Sequence, residues 1–294
     1  MLEVLAALVA GLVLAVAIDI ARTGSWELWL TRRGWAPPYI AQGRPVDIGG
    51  RSLYLDCRGS GSPTVILESG LGSDAGSWGF VLPKVAERTR VCAYDRAGLG
   101  RSDPQPATHS VGEAVADLRR ALDAAGERGP FVLVGHSYGG VLVRVLAAAA
   151  RDDVRGVVLV DDWIPDGTWV EQVAVHPGVL ADHRAAVVST NELIARTERI
   201  DWPASATELA ASHLDGIPTE ILAVDQHLRY VDPRIPPATE EALIDAWRAW
   251  CLALSPGASR VTIADGSGHS IQLDRPDVVL AAIDRLVDAA RDSG

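Results

Sequence analysis

The residue whose type and surroundings most clearly suit it for catalysis is a serine on a glycine-rich turn. Ser137 lies in the stretch GHSYGG (135–140), which directly follows the apolar strand-like run FVLV and opens a helical pattern. A serine at such a strand–turn–helix junction adopts a strained conformation that exposes its hydroxyl for attack on a carbonyl carbon. The Tyr138 amide begins the helix, where an unpaired N–H and the helix dipole can stabilise an oxyanion. The stretch therefore predicts a nucleophilic serine rather than an inert turn.

A nucleophilic serine needs a general base, and the best-placed of the seven histidines is His269. It lies on a glycine-rich loop between the last predicted strand and the last predicted helix. A loop at the same sheet edge can bring the imidazole within hydrogen-bond reach of the serine, about 2.6–3.2 Å. His136 is next to Ser137 in the chain, but we expect its side chain to point away from that of the serine. We therefore predict His269 as the base.

The elements that must position these residues alternate between strand and helix from Val46 onward. The runs VILES and FVLVG are apolar on both faces, which is typical of strands covered by helices on each side of a mostly parallel sheet. Gly49 and Gly50 predict a hairpin, and hence an antiparallel start to the sheet. The predicted strands are 52–57, 64–68, 90–94, 131–134, 157–161, 219–224 and 260–264. The predicted helices are 78–88, 111–125, 140–151, 239–254 and 276–290.

A long connection separates the predicted strands 157–161 and 219–224. Residues 162–217 are rich in Ala, Trp and Glu and exceed what an ordinary crossover needs. We therefore expect a helical cap over the site. Trp163 and Trp169 in this segment are candidates for lining an apolar substrate pocket, although scattered tryptophans also serve as packing.

The N-terminal residues, 1–40, are predicted as a separate hydrophobic anchor and interfacial segment ahead of the catalytic domain, 41–294. Residues 4–18 carry no charge, but at about 1.5 Å rise they reach only about 22 Å, short of the roughly 30 Å hydrocarbon core. We expect residues 4–21 to associate with a membrane. Basic residues on the C-terminal side favour a cytoplasmic catalytic domain. A cleaved, exported form and a simply buried helix are the alternatives, and no basic residue precedes the apolar run.

Composition limits the partners of the chain. The net charge of −11, without a run of Lys and Arg, disfavours nucleic acid as a partner. The three cysteines, Cys57, Cys92 and Cys251, lack CxxC spacing. We therefore predict inert thiols, two of them buried in strands, with neither a disulfide framework nor a metal site. The oligomeric state is not predicted.

Taken together, these motifs resemble those of the α/β-hydrolase superfamily, from about Val46 to the C-terminus. The supporting segments, in the order the family shows, are SGLG (69–72), YDRAGLGRS (94–102), the serine turn and GHSIQLDRP (268–276). The resemblance implies an α/β-hydrolase fold with an eight-stranded, mostly parallel sheet, helices on both faces and a helical cap after the sixth strand.

The activity that this resemblance implies is that of an esterase- or lipase-like serine hydrolase. It would cleave a carboxylic ester of a small molecule through an acyl-enzyme on Ser137, with no cofactor. An acyltransferase or a cofactor-free perhydrolase on the same site is the alternative. A non-catalytic binding protein on a hydrolase scaffold is a weaker one.

The resemblance also implies two further parts of the site. The Leu71 amide, in the loop after the third strand, is the second oxyanion donor beside Tyr138. The acid that orients the histidine is expected after the sixth or seventh strand, with Asp161 preferred and Asp225 and Asp232 as alternatives. Aspartates also commonly occupy strand ends and turns, so the choice among the three stays open. The pair Asp95-Arg96 and the stretch Arg101-Ser102-Asp103 match the family's loop after the fourth strand and are interpreted as an ion-paired turn that braces the site.

Overall fold

The computed structural model describes residues 40–162, 198–224 and 260–293. The chain divides into two units, Met1–Ile40 and Ala41–Gly294, and every element below belongs to the second. Its strands form one eight-stranded sheet in the order β1-β2-β4-β3-β5-β6-β7-β8. The strands are β1 (Arg44–Asp47), β2 (Ser52–Arg58), β3 (Thr64–Glu68), β4 (Val91–Tyr94), β5 (Phe131–His136), β6 (Val154–Val160), β7 (Thr219–Val224) and β8 (Arg260–Ala264).

The sheet is mostly parallel, as the sequence predicts. Strand β2 pairs antiparallel with β1 and β4, and the pairs from β4 through β3 to β8 are parallel. The antiparallel start comes from a tight hairpin in which Gly49 and Gly50 have φ of 99° and 93°. The Asp47 carboxylate accepts hydrogen bonds from both of their amides. Only glycine adopts such positive φ values without strain.

Two pairs of helices pack on this sheet. The helices are α1 (Leu82–Ala86), α2 (Val111–Ala125), α3 (Tyr138–Ala149), α4 (Trp202–Ala210), α5 (Ile271–Asp274) and α6 (Pro276–Asp292). Helices α2 and α3 contact each other, as do α1 and α6, and each of the four contacts strands. All residues of β3 and β4 are buried. Strands buried on both faces are those covered by helices on both sides, so the predicted α/β-hydrolase fold is confirmed.

Local capping explains where the best-predicted helix begins and ends. Helix α2 has the predicted bounds because Ser110 and Glu113 form a capping box at its start and Gly126 ends it in the left-handed conformation. The predicted helix over 78–88 is wrong as a single element. A 3₁₀ turn (Ala75–Trp78), capped by Asp74, precedes the separate helix α1, which has a proline in its first turn.

The predicted cap lies mainly outside the described residues. Its described end, 198–217, contains α4, which contacts α2 and α3, and the long connection does run between β6 and β7. The predicted helix 239–254 and the predicted anchor 4–21 also lie outside. None of the helices that the structure describes has both the length and the apolar character needed to cross a bilayer.

The prediction of separate inert thiols at Cys57 and Cys92 was wrong, because the two residues form a disulfide. Antiparallel pairing of β2 with β4 sets them directly opposite each other, with Cα atoms 4.0 Å apart. Because they are 35 residues apart in the chain, the sequence does not show that they are close in space.

Candidate active site

Ser137 lies at the sharp bend between β5 and α3. Its φ of 51° and ψ of −122° lie outside the usual regions for a residue with a side chain. The two flanking glycines make this bend sterically possible. A Cβ on Gly135 would lie 2.4 Å from the Gly139 carbonyl oxygen, and one on Gly139 would lie 2.4 Å from the Glu68 carbonyl oxygen. The GxSxG pattern is therefore a packing requirement of this turn.

Asp161 and His269 meet at the carboxyl edge of the sheet. His269 Nδ1 lies 2.5 Å from Asp161 Oδ2. A carboxylate can only accept, so Nδ1 carries the hydrogen and Nε2 is left as the acceptor. Asp161 is completely buried, whereas the His269 side chain is 40% exposed. The pair thus combines a fixed acid with an imidazole that solvent and substrate can reach, which is the arrangement a general base needs.

The backbone around Asp161 is held on both sides. Its φ is 44°, and its amide donates to the Leu222 carbonyl oxygen of β7 at 2.8 Å. The next residue, Asp162, turns under α3, where its carboxylate accepts from Arg144 Nε at 2.8 Å and from Nη2 at 2.6 Å. Adjacent aspartates therefore point to different partners, one to an imidazole and the other to a buried guanidinium.

The loop that carries His269 is also tied down. The Gly268 amide donates to Asp274 Oδ2 at 2.8 Å. His136 Nε2 donates to the His269 carbonyl oxygen at 2.9 Å, and the two imidazole rings lie 4.7 Å apart. The sequence gives no indication of this contact, because it joins residues 133 positions apart. His136, next to Ser137, thus holds the loop of the predicted base beside the serine turn.

The loop that contains Leu71 packs against the serine turn. A Cβ on Gly70 would lie 3.4 Å from Ser137 Cβ and 2.8 Å from His136 Nδ1, so only glycine fits there. Within the described part of the chain, no hydrogen bond occupies the Leu71 amide. Tyr138 is the first residue of α3 and directly follows Ser137 in the chain. Both predicted oxyanion donors therefore lie next to the nucleophile turn.

Arg96 does not pair within its own turn, contrary to the expectation for Asp95-Arg96. Its guanidinium forms buried ion pairs with Glu68 and Glu198, and Asp95 instead accepts from the Ala75 and Arg101 amides. Burial raises the pKa of the Glu68 carboxyl, and the Arg96 charge opposes that rise. Glu198 lies within the segment predicted as a cap, and no motif in the sequence singles it out.

Some candidates are not part of the described structure. Asp225, Asp232, Trp163 and Trp169 lie outside it, so they stay predictions. Among the described residues, one group has metal-ligand spacing, Cys57, Cys92 and Glu127. Its two sulfur atoms are already joined in the disulfide, which leaves no thiolate ligands there.

The chain matches the alpha/beta hydrolase family over residues 65–282 and belongs to that family. It is therefore an enzyme of the hydrolase class. A relative from Azorhizobium caulinodans, described as a putative carbamate hydrolase RutD, is 30% identical over 249 residues, which cover 78% of this chain and 92% of the relative.

Two solved structures extend the comparison. One is a putative lipase from Acinetobacter baumannii AYE, with 19% identity, a TM-score of 0.63 and coverage of 90% of this chain and 96% of the lipase. The other is a bacterial membrane phospholipase A, with 21% identity, a TM-score of 0.58 and coverage of 99% of both chains. At such identities the likeness concerns the fold alone.

Proposed function

We propose that this chain is a serine hydrolase that cleaves a carboxylic ester of a small molecule through an acyl-enzyme on Ser137. The observation that carries the proposal is the 2.5 Å contact between His269 Nδ1 and Asp161 Oδ2, beside a serine at a strained strand–helix bend. An imidazole oriented in this way has its Nε2 available to take a proton.

The proposed reaction has two halves. Ser137 Oγ attacks the ester carbonyl carbon while His269 Nε2 takes the hydroxyl proton, and Asp161 stabilises the resulting imidazolium. The tetrahedral intermediate collapses as His269 gives that proton to the departing alkoxide, which leaves as an alcohol. A water molecule, deprotonated by the same imidazole, then attacks the acyl-enzyme, and the imidazolium returns that proton to Ser137 Oγ as the bond to the acyl group breaks and the acid leaves.

Two backbone amides are the proposed oxyanion donors. The Leu71 and Tyr138 N–H groups flank the nucleophile, and charge develops on the carbonyl oxygen only as the tetrahedral intermediate forms. Amides that are already oriented stabilise that charge without rearrangement. Because the donors are backbone N–H groups, the proposed reaction does not require a particular side chain at Leu71 or Tyr138.

An ester is the first candidate for the substrate class, and a carbamate is the second. A carbamate differs from an ester by a nitrogen on the acyl side, and the same nucleophile can attack its carbonyl carbon. The relative described as a putative carbamate hydrolase supports this second candidate. Matched p-nitrophenyl acetate, p-nitrophenyl long-chain esters and a p-nitrophenyl carbamate release the same leaving group. Their kcat/KM values therefore compare the acyl side alone.

A fluorophosphonate probe tests the nucleophile. We expect the wild-type chain to be labelled once, on the peptide that contains Ser137, and we expect Ser137→Ala to lose both labelling and ester hydrolysis. Ser110→Ala is not a suitable control because Ser110 caps α2, whereas Ser293→Ala changes a hydroxyl near the C-terminus and should label normally. A folded wild-type chain that neither labels nor hydrolyses any of the esters would refute the proposal and favour a binding protein.

Product partitioning separates a hydrolase from the alternative acyltransferase or perhydrolase. With an ester substrate in the presence of an alcohol or hydrogen peroxide, a hydrolase gives mainly the free acid. Transfer that dominates over hydrolysis at low acceptor concentration would assign the same Ser137 site to the alternative activity.

Membrane association through residues 4–21 is part of the proposal on the strength of the sequence alone. The full chain should sediment with phosphatidylglycerol-containing vesicles, and a chain without residues 1–22 should not, while keeping its kcat on a water-soluble ester. Equal sedimentation of both chains would remove this part of the proposal and leave the catalytic part intact.

A further inference from the structure

Arg96 is a buried cation whose whole guanidinium is occupied by hydrogen bonds. Nη1 donates to Glu68 Oε1 at 2.8 Å and to the Ser69 carbonyl oxygen at 2.6 Å. Nη2 donates to the Gly70 carbonyl oxygen at 2.7 Å and to Glu198 Oε1 at 2.9 Å, and Nε donates to Glu198 Oε2 at 2.8 Å. A guanidinium has five N–H donors, and these contacts use all five. Its orientation is therefore determined from both sides.

Two of these bonds determine which way the loop amides point. A trans peptide unit is planar, and its carbonyl oxygen points opposite to the N–H of the following residue. Because Arg96 draws the Ser69 and Gly70 carbonyl oxygens toward itself, the N–H groups of Gly70 and Leu71 point away from it. Successive amides that turn to one side form a concave, anion-binding nest.

The same loop lies against the nucleophile. Gly70 packs so closely on the serine turn that an added Cβ would lie 3.4 Å from Ser137 Cβ. The Ser69 hydroxyl is engaged within its own loop, where it donates to the Asp74 carbonyl oxygen at 2.8 Å. The loop thus has Arg96 on its carbonyl side and the serine turn against Gly70.

Glu198 reaches this loop from a distant part of the chain. It is 2% exposed, and besides its two bonds to Arg96 it accepts a hydrogen bond from the Gly72 amide at 2.5 Å. The residues that follow are held to the body of the domain. The His109 amide donates to the Arg199 carbonyl oxygen at 2.9 Å, and the Asp201 amide donates to the His109 carbonyl oxygen at 2.8 Å. The Glu198 carboxylate is therefore fixed in place and binds both Arg96 and the loop 69–72.

We propose that Arg96 and Glu198 are positioning residues that hold the loop 69–72 so that the Leu71 N–H faces the oxyanion formed at Ser137. This inference rests on the proposed function. Because Glu198 belongs to the connection between β6 and β7, it makes the oxyanion donor dependent on that connection. Movement of Glu198 away from Gly72 would free the loop, and the site would keep its nucleophile and base but lose part of its transition-state stabilisation.

Glu198→Gln is the main test. It keeps the shape of the side chain but removes the charge that pairs with Arg96 and weakens the acceptor for the Gly72 amide. We expect kcat for p-nitrophenyl acetate to fall by about 10- to 100-fold, below the loss of about 10²- to 10³-fold seen when an oxyanion donor is removed outright. KM should stay within about twofold, because the oxyanion donor acts mainly in the transition state.

A trifluoromethyl ketone provides the readout that a merely structural role would not change. The serine hydroxyl adds reversibly to the carbonyl carbon of the ketone, and the adduct carries an oxyanion. The inhibition constant of the ketone should therefore rise in parallel with the loss of kcat. The pH profile of kcat should keep its shape, because the Asp161–His269 pair is unchanged. Glu198→Asp keeps the charge but shortens the side chain by one methylene, and we expect an intermediate loss of kcat with the same unchanged KM.

Glu208→Gln is the matched control. Glu208 also belongs to the connection between β6 and β7, and it accepts bonds from the Ser110 hydroxyl and the Gly112 amide at 2.7 Å each, away from the oxyanion loop. We expect its kcat and inhibition constant to equal those of the wild type. Thermal unfolding of each variant shows that the compared proteins are folded.

The outcomes separate this inference from the function on which it rests. Wild-type kcat and ketone affinity in folded Glu198→Asp would overturn the inference, even if Glu198→Gln were too unstable to assay. Equal losses of kcat and ketone affinity in Glu208→Gln would also overturn the inference, because they would indicate a general loosening of the connection between β6 and β7. If the wild type itself neither hydrolyses esters nor binds the ketone, the failure lies in the proposed function.

Discussion

Two buried carboxylate regions lie on either side of the serine turn, and they differ in their partners. Asp161 pairs with an imidazole that is 40% exposed, whereas Glu68 and Glu198 pair with the guanidinium of Arg96, which is 4% exposed. An imidazole gains and loses a proton near neutral pH, but a guanidinium keeps its charge. The first region can therefore move protons, and the second can only hold its surroundings in place.

The role of a buried carboxylate near the site therefore depends on the group that it pairs with. Asp161 and Asp162 are neighbours in the chain and are both buried, yet one serves the imidazole and the other the Arg144 guanidinium. Variants of the two regions should thus separate into losses of rate and losses of stability.

The largest effect is expected for Asp161→Asn. The amide can donate to His269 Nδ1, which stabilises the wrong tautomer and removes the basic Nε2. We expect kcat for a p-nitrophenyl ester to fall by about 10⁴-fold, with thermal unfolding changed little. Steady-state kinetics of the purified variant measure the loss. Asp225→Asn is the comparison among the alternative acids, and near-native rates in Asp161→Asn together with a large loss in Asp225→Asn would reassign the acid.

Asp162→Asn should show the opposite pattern. It removes the negative charge that the buried Arg144 guanidinium binds through Nε and Nη2, and losing one partner of a buried pair costs about 3–5 kcal/mol. Urea unfolding should reveal that loss of stability, while the kcat of the folded protein falls far less than in Asp161→Asn. A variant with wild-type stability and a collapsed kcat would break the distinction between the two aspartates.

The disulfide should affect stability alone, because it lies at a distance from the reacting atoms. Cys92 is the second residue of β4, toward the end of the strand opposite the catalytic edge. Closing a loop of 35 residues stabilises the fold by about 3–4 kcal/mol on the chain-entropy relation. Cys57→Ala/Cys92→Ala should lose about that much in urea unfolding and keep its kcat.

Thiol counting gives an independent check of that bond. The unfolded, unreduced chain should react with one thiol reagent molecule, at Cys251, and the reduced chain with three. Three reactive thiols in the protein purified from an oxidising compartment would contradict the bond between Cys57 and Cys92.

The smallest effect is expected for His109, which lies beside the fixed-charge region. Burial lowers the pKa of His109, and the charges of Glu198, Asp117 and Glu113 partly oppose that shift. Below about pH 6.5 the unfolded chain then binds more protons than the folded one. Stability should therefore fall as the pH is lowered through this range, by at most about 1.4 kcal/mol per pH unit.

Urea unfolding between pH 5 and 7 tests this pH dependence (about the range in which histidine titrates). His109→Gln should flatten the dependence and leave the pH profile of kcat unchanged. A shifted kcat profile would show that a group of the fixed-charge region takes part in proton transfer after all.

Some parts of the site followed from short stretches of the sequence. The glycines around Ser137 are needed by contacts within a few residues and with the adjacent strand, so the pattern GHSYGG predicts the bend by itself. Helix α2 was predicted with its bounds from the helical spacing of its apolar residues, and the structure shows that local caps at Ser110, Glu113 and Gly126 set those bounds. The position of His269 after the last strand followed in the same way from the order of elements.

Other parts depend on contacts between distant residues. The pairing of Cys57 with Cys92 needed the register of β2 against β4, and the odd number of cysteines pointed the other way. Glu198 lies 102 residues from Arg96 in the chain, and its neighbours form no motif. The sequence therefore could not distinguish the Asp161 region from the Arg96 region. The role of each Asp or Glu residue depends on its partner, and the partner is known only from the structure.

The sequence alone determined the family, the alternation of strand and helix, the serine bend and the loop of the predicted base, because each is encoded by neighbouring residues whose sterics and hydrogen bonds act within one turn. Only the tertiary structure decided which buried carboxylate meets the imidazole, which meet a guanidinium and which cysteines are joined. Those choices depend on where the sheet and its connections bring distant side chains together.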